Sequence, residues 1–321
     1  MPAIALLAPY RRADKVFSEQ HYARLRSIGT LVDARFTTKP DEVTPRLAEV
    51  EAIVSTWGMP SVDAAFLERV PKLRAVFYAA GSVKGFVSPA LWSHGIVVSS
   101  SAPANAIAVA EYTLAVILLS NKRFWSVMRS THSIPAPGNY RRQVGIIGAS
   151  RVGRELIRLL KGTDLEVWLY DPLVTGAEAA QLGVRQTDLP KLMAAADVVT
   201  LHAPNLPGLR HMINAELLAR MKDGATFINT ARGALVDEAA LIAELTSGRI
   251  FAVLDVTDPE PPAKDSPLYT LPNVIITPHI AGSMDQECQR MADFAIDELE
   301  RFLAGKPLLN PITLEMLARM A

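Results

Sequence analysis

A single cysteine, Cys288, occurs among 321 residues. That scarcity excludes an intrachain disulfide framework and any centre needing several thiolates, and no metal site is expected; it fits a reducing compartment. Charge of one sign is equally absent, since Lys plus Arg and Asp plus Glu each number 33 and the formal net charge is zero. Without a long basic run there is no electrostatic footprint for nucleic acid. Nothing reaches the roughly 18 uninterrupted apolar residues of a spanning helix, because the most apolar region, Ala106–Leu119, is broken by Glu111. The run Met1–Tyr10 is apolar, but Arg11 and Arg12 follow it, the reverse of the order in an export signal. A cytoplasmic protein is expected, with neither a nucleic-acid nor a membrane partner.

What the chain has is apolar surface to bury: 50% of its residues are hydrophobic. At roughly 150 residues per domain its length suggests two domains. Short β-rich runs alternate with helix-patterned segments nearly throughout, which is the pattern of parallel sheets covered on both faces, so the fold class is α/β. In the first hundred residues strands are expected at Ile4–Ala8, Ala52–Ser55, Ala75–Tyr78 and Ile96–Ser99, with helices at Glu19–Ile28 and Val62–Arg69. A long helix over Ala104–Leu119 and a Pro/Gly-rich loop over Thr131–Arg142 separate this unit from a second. There, strands are expected at Val144–Ile147, Glu166–Tyr170, Val198–His202, Thr226–Asn229, Phe251–Asp255 and Val274–Ile276. Six strands with intervening helices match a doubly wound nucleotide-binding sheet. A last helix covers Asp285–Leu303, and sequence alone leaves its docking open.

Directly after Val144–Ile147 comes Gly148-Ala149-Ser150-Arg151-Val152-Gly153, a glycine turn opening a helix whose N-terminal amides suit a pyrophosphate. Ser150 stands where the dinucleotide fingerprint asks for its second glycine. Asp171 follows Gly153 by 18 positions, near the place of the carboxylate that receives the adenosine ribose hydroxyls. A carboxylate there repels a 2′-phosphate, and Pro172 and Leu173 offer no cation to pair with one. NAD is therefore expected over NADP.

Three titratable residues fall at or beyond strand ends in the second half: Arg232 in Asn229-Thr230-Ala231-Arg232-Gly233, Glu260 in Asp255-Val256-Thr257-Asp258-Pro259-Glu260-Pro261, and His279 in Thr277-Pro278-His279-Ile280-Ala281-Gly282. Taken singly, each has a bland explanation as a solvated arginine, a loop carboxylate or a structural imidazole. Together with their surrounding words they resemble the D-isomer-specific 2-hydroxyacid dehydrogenase family, from about Ala75 to Leu303. Asn105-Ala106-Ile107-Ala108-Val109-Ala110-Glu111, Leu201-His202-Ala203-Pro204 and Gly233-Ala234-Leu235-Val236-Asp237-Glu238 add to the similarity.

The resemblance implies two doubly wound parallel-sheet domains. A flavodoxin-like substrate domain would take residues 1–101 and 285–321, and a Rossmann NAD-binding domain inserted into it residues 102–284. It implies reduction of a 2-oxo acid, which needs a hydride donor, a proton donor and a cation for the carboxylate. His279 would be the general acid, Glu260 would stabilise its imidazolium and orient the ring, and Arg232 would pair with the substrate carboxylate and polarise the C2 oxygen. The backbone of Gly81, Ser82 and Val83 would also receive that carboxylate. Beside Gly148, Ser150 and Gly153, Arg151 and Val152 would meet the pyrophosphate, and His202, Ala203 and Pro204 the adenine side. Thr230, Ala231, His279 and Gly282 would lie toward the nicotinamide, with Asp255 on its carboxamide. Family members commonly form homodimers through the cofactor domain, using the long helix and the arm Phe124–Tyr140, in which Phe124, Trp125 and Met128 are apolar.

Ser55-Thr56-Trp57-Gly58-Met59-Pro60 would face the substrate and contains no cation; Lys84 is the obvious candidate for pairing with a phosphate. A small or apolar-tailed unphosphorylated 2-oxo acid, such as glyoxylate or hydroxypyruvate, is therefore favoured, with Trp57 in its pocket unless Trp57 and Met59 are core. Formate dehydrogenases resemble a pattern with Gln where this chain has Glu260, and so are disfavoured. A cofactor-sensing protein of the C-terminal-binding corepressor type keeps the same motifs and stands as the alternative.

Overall fold

The computed structural model describes residues 1–32, 46–127, 135–317 and 320. Met128 and the first part of the expected loop Thr131–Arg142 lie outside the described residues. The chain divides into two compact units, Met1–Ala106 with Ser283–Met320, and Ile107–Gly282. The first crossing falls inside the helix Ala102–Asn121.

In the first unit, β1 (Ala3–Leu7), β2 (Thr30–Leu31), β3 (Ala52–Ser55), β4 (Ala75–Tyr78) and β5 (Val97–Ser100) form one parallel sheet in the order β2-β1-β3-β4-β5. Every residue of β3 and β4 is buried, as a sheet covered on both faces requires. Ile53, Val76, Phe86 and Leu91 pack on one face. Leu6, Val54 and Phe77 pack on the other against Met291, Ala295 and Leu299 of the helix Glu287–Leu303, which settles where the last helix docks. The two-residue β2 was absent from the sequence-based expectation because two residues carry no alternation to read.

A fully buried carboxylate ties the carboxyl-terminal segment to this unit. Glu298 accepts hydrogen bonds from the Ser99 hydroxyl (2.7 Å) and from the backbone N–H groups of Leu309 (2.7 Å) and Asn310 (3.0 Å). Removing it strands two buried donors, the Ser99 hydroxyl and the Asn310 N–H, each costing about 1–3 kcal/mol, and a part-buried one at Leu309. Glu298→Ala is expected to lose roughly 3 kcal/mol of unfolding free energy, read as a lower urea midpoint at unchanged m-value; a loss below about 1 kcal/mol would contradict this role.

In the second unit, β6 (Gln143–Ile147), β7 (Glu166–Tyr170), β8 (Arg185–Gln186), β9 (Val198–Leu201), β10 (Thr226–Asn229), β11 (Phe251–Leu254) and β12 (Val274–Ile276) are also all parallel, in the order β12-β11-β10-β9-β6-β7-β8. The expected six strands are present, and the two-residue edge strand β8 is an addition. The strand order reverses between β6 and β9, where open α/β sheets take their ligands. Ile147 pairs with Leu201 across that junction, so the loops after both strands start side by side.

The helix Ala102–Asn121 is long and apolar enough to cross a membrane by length and composition. Its Ala110, Val116 and Ile117 pack in the core of the second unit with Val144, Ile146 and Leu156, and apolarity all round is the pattern of a buried helix.

Candidate active site

The turn after β6 is shaped by close approach of backbone. Gly148 has φ +97°, and a Cβ on it would lie 2.8 Å from the backbone nitrogen of Ala203; only glycine lets the loops after β6 and β9 run together. Ser150 is extended (φ −62°), a conformation any residue adopts, and it caps the helix Arg151–Leu160 by accepting from the Gly153 N–H at 3.4 Å. The serine therefore departs from the fingerprint without strain and supplies an N-cap. Gly153 is packed tightly, since a Cβ there would come 2.1 Å from the Gly148 carbonyl. Arg151 and Val152 form the first turn of the same helix, and burial lowers the Arg151 guanidinium from its ordinary value.

Asp171, just past β7, accepts from the N–H groups of Ala149 (2.7 Å) and Leu173 (2.8 Å), one on each oxygen. Both oxygens keep lone pairs for further donors. A diphosphate flanked by a ribose fits this cradle: a glycine turn, a helix N-terminus and an acceptor-only carboxylate stand together.

His202 follows β9, its N–H donating to the Ile147 carbonyl at 2.7 Å. Its ring is 4% exposed with Nε2 2.9 Å from the Thr200 hydroxyl. Burial pushes its pKa down to about 3, so it is neutral near pH 7 and unsuited to donate a proton from a charged form. Ala203 is buried beside Gly148, and Pro204 continues the loop.

Arg232, Glu260 and His279 lie past the carboxyl ends of β10, β11 and β12, three neighbouring strands. Asn229 shapes the first loop, its Oδ1 accepting from the Ala231 N–H (3.0 Å) and its Nδ2 donating to the Arg232 carbonyl (3.0 Å). Gly233 brings that loop against the next: a Cβ there would sit 2.0 Å from the Thr257 carbonyl carbon. The loop carrying Glu260 is braced further by the Asp258 N–H donating to Glu238 (3.1 Å) and by an Arg210–Asp258 ion pair (3.0 Å). Burial lowers the Arg232 guanidinium from its ordinary value, while the charge of Glu260 raises it. Thr230 is buried with its hydroxyl 3.3 Å from that of Thr113.

His279 has φ +55°, the left-handed region that a β-substituted residue occupies only under constraint. Asp255 supplies much of that constraint. Its carbonyl accepts the His279 N–H (3.1 Å), and its carboxylate accepts the Thr277 hydroxyl (2.6 Å) and the N–H groups of Ile280 (2.8 Å) and Ala281 (2.9 Å). Gly282 completes the loop. So held, the half-exposed imidazole places Nδ1 2.6 Å from Oε1 of Glu260, leaving Nε2 for a reacting group. The sequence did not reveal this bracing by Asp255, because a carboxylate at a strand end is compatible with many roles.

In the first unit, Gly81, Ser82 and Val83 follow β4, and the Val83 side chain is fully buried. Trp57 is half-buried against both cores of its unit, whereas Met59 is a core residue. The Lys84 ammonium donates to the Met320 carbonyl at 2.6 Å.

Residues 117–281 match the family model described as the D-isomer specific 2-hydroxyacid dehydrogenase NAD binding domain. The chain is 31% identical over 309 residues to a D-3-phosphoglycerate dehydrogenase of Archaeoglobus fulgidus, covering 92% of this chain and 58% of that one. It thus spans a little over half the length of such relatives. It is 32% identical to glyoxylate/hydroxypyruvate reductase B of Serratia proteamaculans, over 87% of this chain and 89% of that one. A solved structure from Thermus thermophilus superposes with a TM-score of 0.75 at 27% identity, covering 97% of this chain and all of the other. On the matching domain and on a relative covered over nearly its whole length, the chain belongs to the D-isomer-specific 2-hydroxyacid dehydrogenase family.

Proposed function

We propose that the protein is an NAD-dependent oxidoreductase that reduces a small unphosphorylated 2-oxo acid to its D-2-hydroxy acid, and catalyses the reverse oxidation. The observation that carries this reading is the pair His279–Glu260 at 2.6 Å with a desolvated Arg232 on the neighbouring loop. When bound, the dihydronicotinamide supplies the hydride for the carbonyl carbon. His279 gives the proton to the carbonyl oxygen from Nε2, while Glu260 on Nδ1 fixes the orientation of the ring. Arg232 pairs with the substrate carboxylate, a contact strengthened where water is excluded. The backbone N–H groups of Gly81, Ser82 and Val83 are assigned to the same carboxylate, and Trp57 to the substrate's tail.

Gly148, Ser150, Arg151, Val152 and Gly153 would hold the pyrophosphate, Asp171 the adenosine ribose, and the segment His202–Pro204 would line the adenine side through its backbone, since the His202 ring is turned inward to Thr200. Thr230, Ala231, Asp255 and Gly282 are assigned to the nicotinamide end. The absence of a cation from Ser55–Pro60 supports an unphosphorylated substrate. A homodimer is part of the reading, with Phe124, 41% exposed, as an interface residue, as is a reducing, cytoplasmic location.

A panel of 2-oxo acids assayed with NADH and NADPH tests this. Selective NADH oxidation with one acid is expected, whereas a cofactor-sensing regulator would bind NADH and turn over none. Asp171→Ala should cut the NADH-over-NADPH preference by at least about tenfold, a hydrogen-bonded charge being worth about 1.5–3 kcal/mol. Undiminished selectivity would move discrimination elsewhere.

A further inference from the structure

Glu238 ends the segment Gly233-Ala234-Leu235-Val236-Asp237-Glu238 and is not among the residues assigned to substrate or cofactor. It stands on a fixed platform. The N–H groups of His211 and Ile213 donate to the carbonyls of Ala234 (2.9 Å) and Leu235 (3.0 Å), and the Asp237 N–H donates back to the Ile213 carbonyl (2.9 Å). Leu235 and Val236 are buried in the core of the second unit. Asp237 caps the helix Glu238–Thr246, accepting from the Ala240 N–H at 3.1 Å.

The loop carrying Glu260 lacks such anchorage of its own. After β11 the chain is buried through Thr257, half-buried at Asp258, and exposed at Pro259 and Glu260. The Thr257 hydroxyl donates to the Pro259 carbonyl (2.7 Å), which ties the loop only to itself. Apart from His279, two polar side chains hold Asp258–Glu260 from outside the loop among the described residues: Glu238, whose Oε2 accepts the Asp258 N–H at 3.1 Å, and Arg210, paired with the Asp258 carboxylate at 3.0 Å. The Arg210 pair is largely exposed, and such pairs hold little by themselves. Glu238 is half-buried; burial pushes its carboxyl up and the Asp258 N–H pulls it down. A backbone N–H given to a carboxylate is among the stronger hydrogen bonds.

We propose that Glu238 is a positioning residue for the reaction: by accepting the Asp258 N–H it holds the loop where Oε1 of Glu260 meets Nδ1 of His279, and so keeps the imidazole aimed at the substrate. The inference rests on the reductase reading above and adds a residue to it. The tie is short, since Asp258 lies two positions before Glu260 and the 2.6 Å contact with His279 leaves little slack. Glu238 also follows Arg232 by six positions on the same braced segment, and a Cβ on Gly233 would come 2.5 Å from the Asp258 nitrogen. One platform therefore sets both the guanidinium loop and the carboxylate loop. Arg210 assists by offsetting the charge of Asp258, which would otherwise repel the Glu238 carboxylate.

The test measures kcat, KM and NADH affinity with the best 2-oxo acid for the wild type, Glu238→Gln and Glu238→Met, and repeats Glu238→Met in a Glu260→Ala background. Glutamine keeps an acceptor and loses the charge; methionine keeps the length and accepts only weakly. Glu238→Met should lose about 10–100-fold in kcat, the scale of a misplacement of about an ångström, while KM and NADH affinity change by less than about threefold. Glu238→Gln should stay within about threefold of the wild type, because the N–H keeps a partner. In Glu260→Ala the methionine substitution should cost less than about twofold further, since the two residues act as a unit. Unchanged kcat in Glu238→Met, equal losses in both backgrounds, or a glutamine variant as slow as the methionine one would overturn the proposal and leave the reductase reading standing. If the wild type turns over no acid, the reductase reading itself fails, and crystal structures of the wild type and Glu238→Met decide the tie: Oε1 and Nδ1 parted beyond about 3.5 Å in the variant support it, and the pair still at 2.6 Å overturns it.

Discussion

Replacing His279 by alanine should lower kcat for 2-oxo acid reduction by about 10²–10⁴-fold, the range for a positioned general acid, with NADH affinity changed far less. The imidazole is the one suited to the task. His202, the other histidine beside the strand ends of this unit, is buried and held neutral with its pKa down near 3, whereas His279 is half-exposed and braced at 2.6 Å by a carboxylate. Its backbone is also held in the left-handed region by the hydrogen bonds of Asp255, a constraint that fixes the ring where a protein would otherwise relax. Because proton transfer belongs to the transition state, kcat and kcat/KM should fall together. Comparable turnover in the variant would remove His279 from the chemistry.

Arg232→Lys should raise KM and lower kcat/KM by about 10–100-fold. Charge is conserved, so a purely electrostatic role would survive the change. A planar guanidinium, however, pairs two N–H groups with one carboxylate, and a lysine ammonium is a point donor on a flexible stem. One charge-assisted hydrogen bond lost in a desolvated site is worth about 1.5–3 kcal/mol. The wild-type guanidinium also donates to the Ala231 carbonyl at 2.6 Å, which fixes its position before substrate arrives. Unchanged kinetics in the lysine variant would contradict the paired contact.

Much of this was legible in the sequence because parallel strands are buried on both faces and read as continuous apolar runs: β3, β4, β9 and β10 are buried along their whole length. The two-residue strands β2 and β8 left no such trace, since their existence depends on a neighbour's hydrogen bonds. Arg232, Glu260 and His279 were read past the ends of three strands, and the structure adds that those strands are neighbours. What words could not supply was the partner of each polar atom. Ser150 looked like a defect in the glycine turn and is a helix cap.

Hydride transfer to the carbonyl carbon is the claim on which the roles of Arg232, Glu260 and His279 all rest. It is tested most directly by incubating the wild-type protein with NADH deuterated at C4 on the nicotinamide face used by the enzyme, together with the best 2-oxo acid, and analysing the product by mass spectrometry and chiral chromatography. A D-2-hydroxy acid bearing one deuterium at C2, formed in step with NAD, is the expected result; NADH that binds and is recovered with its label intact, the acid unchanged, would contradict it.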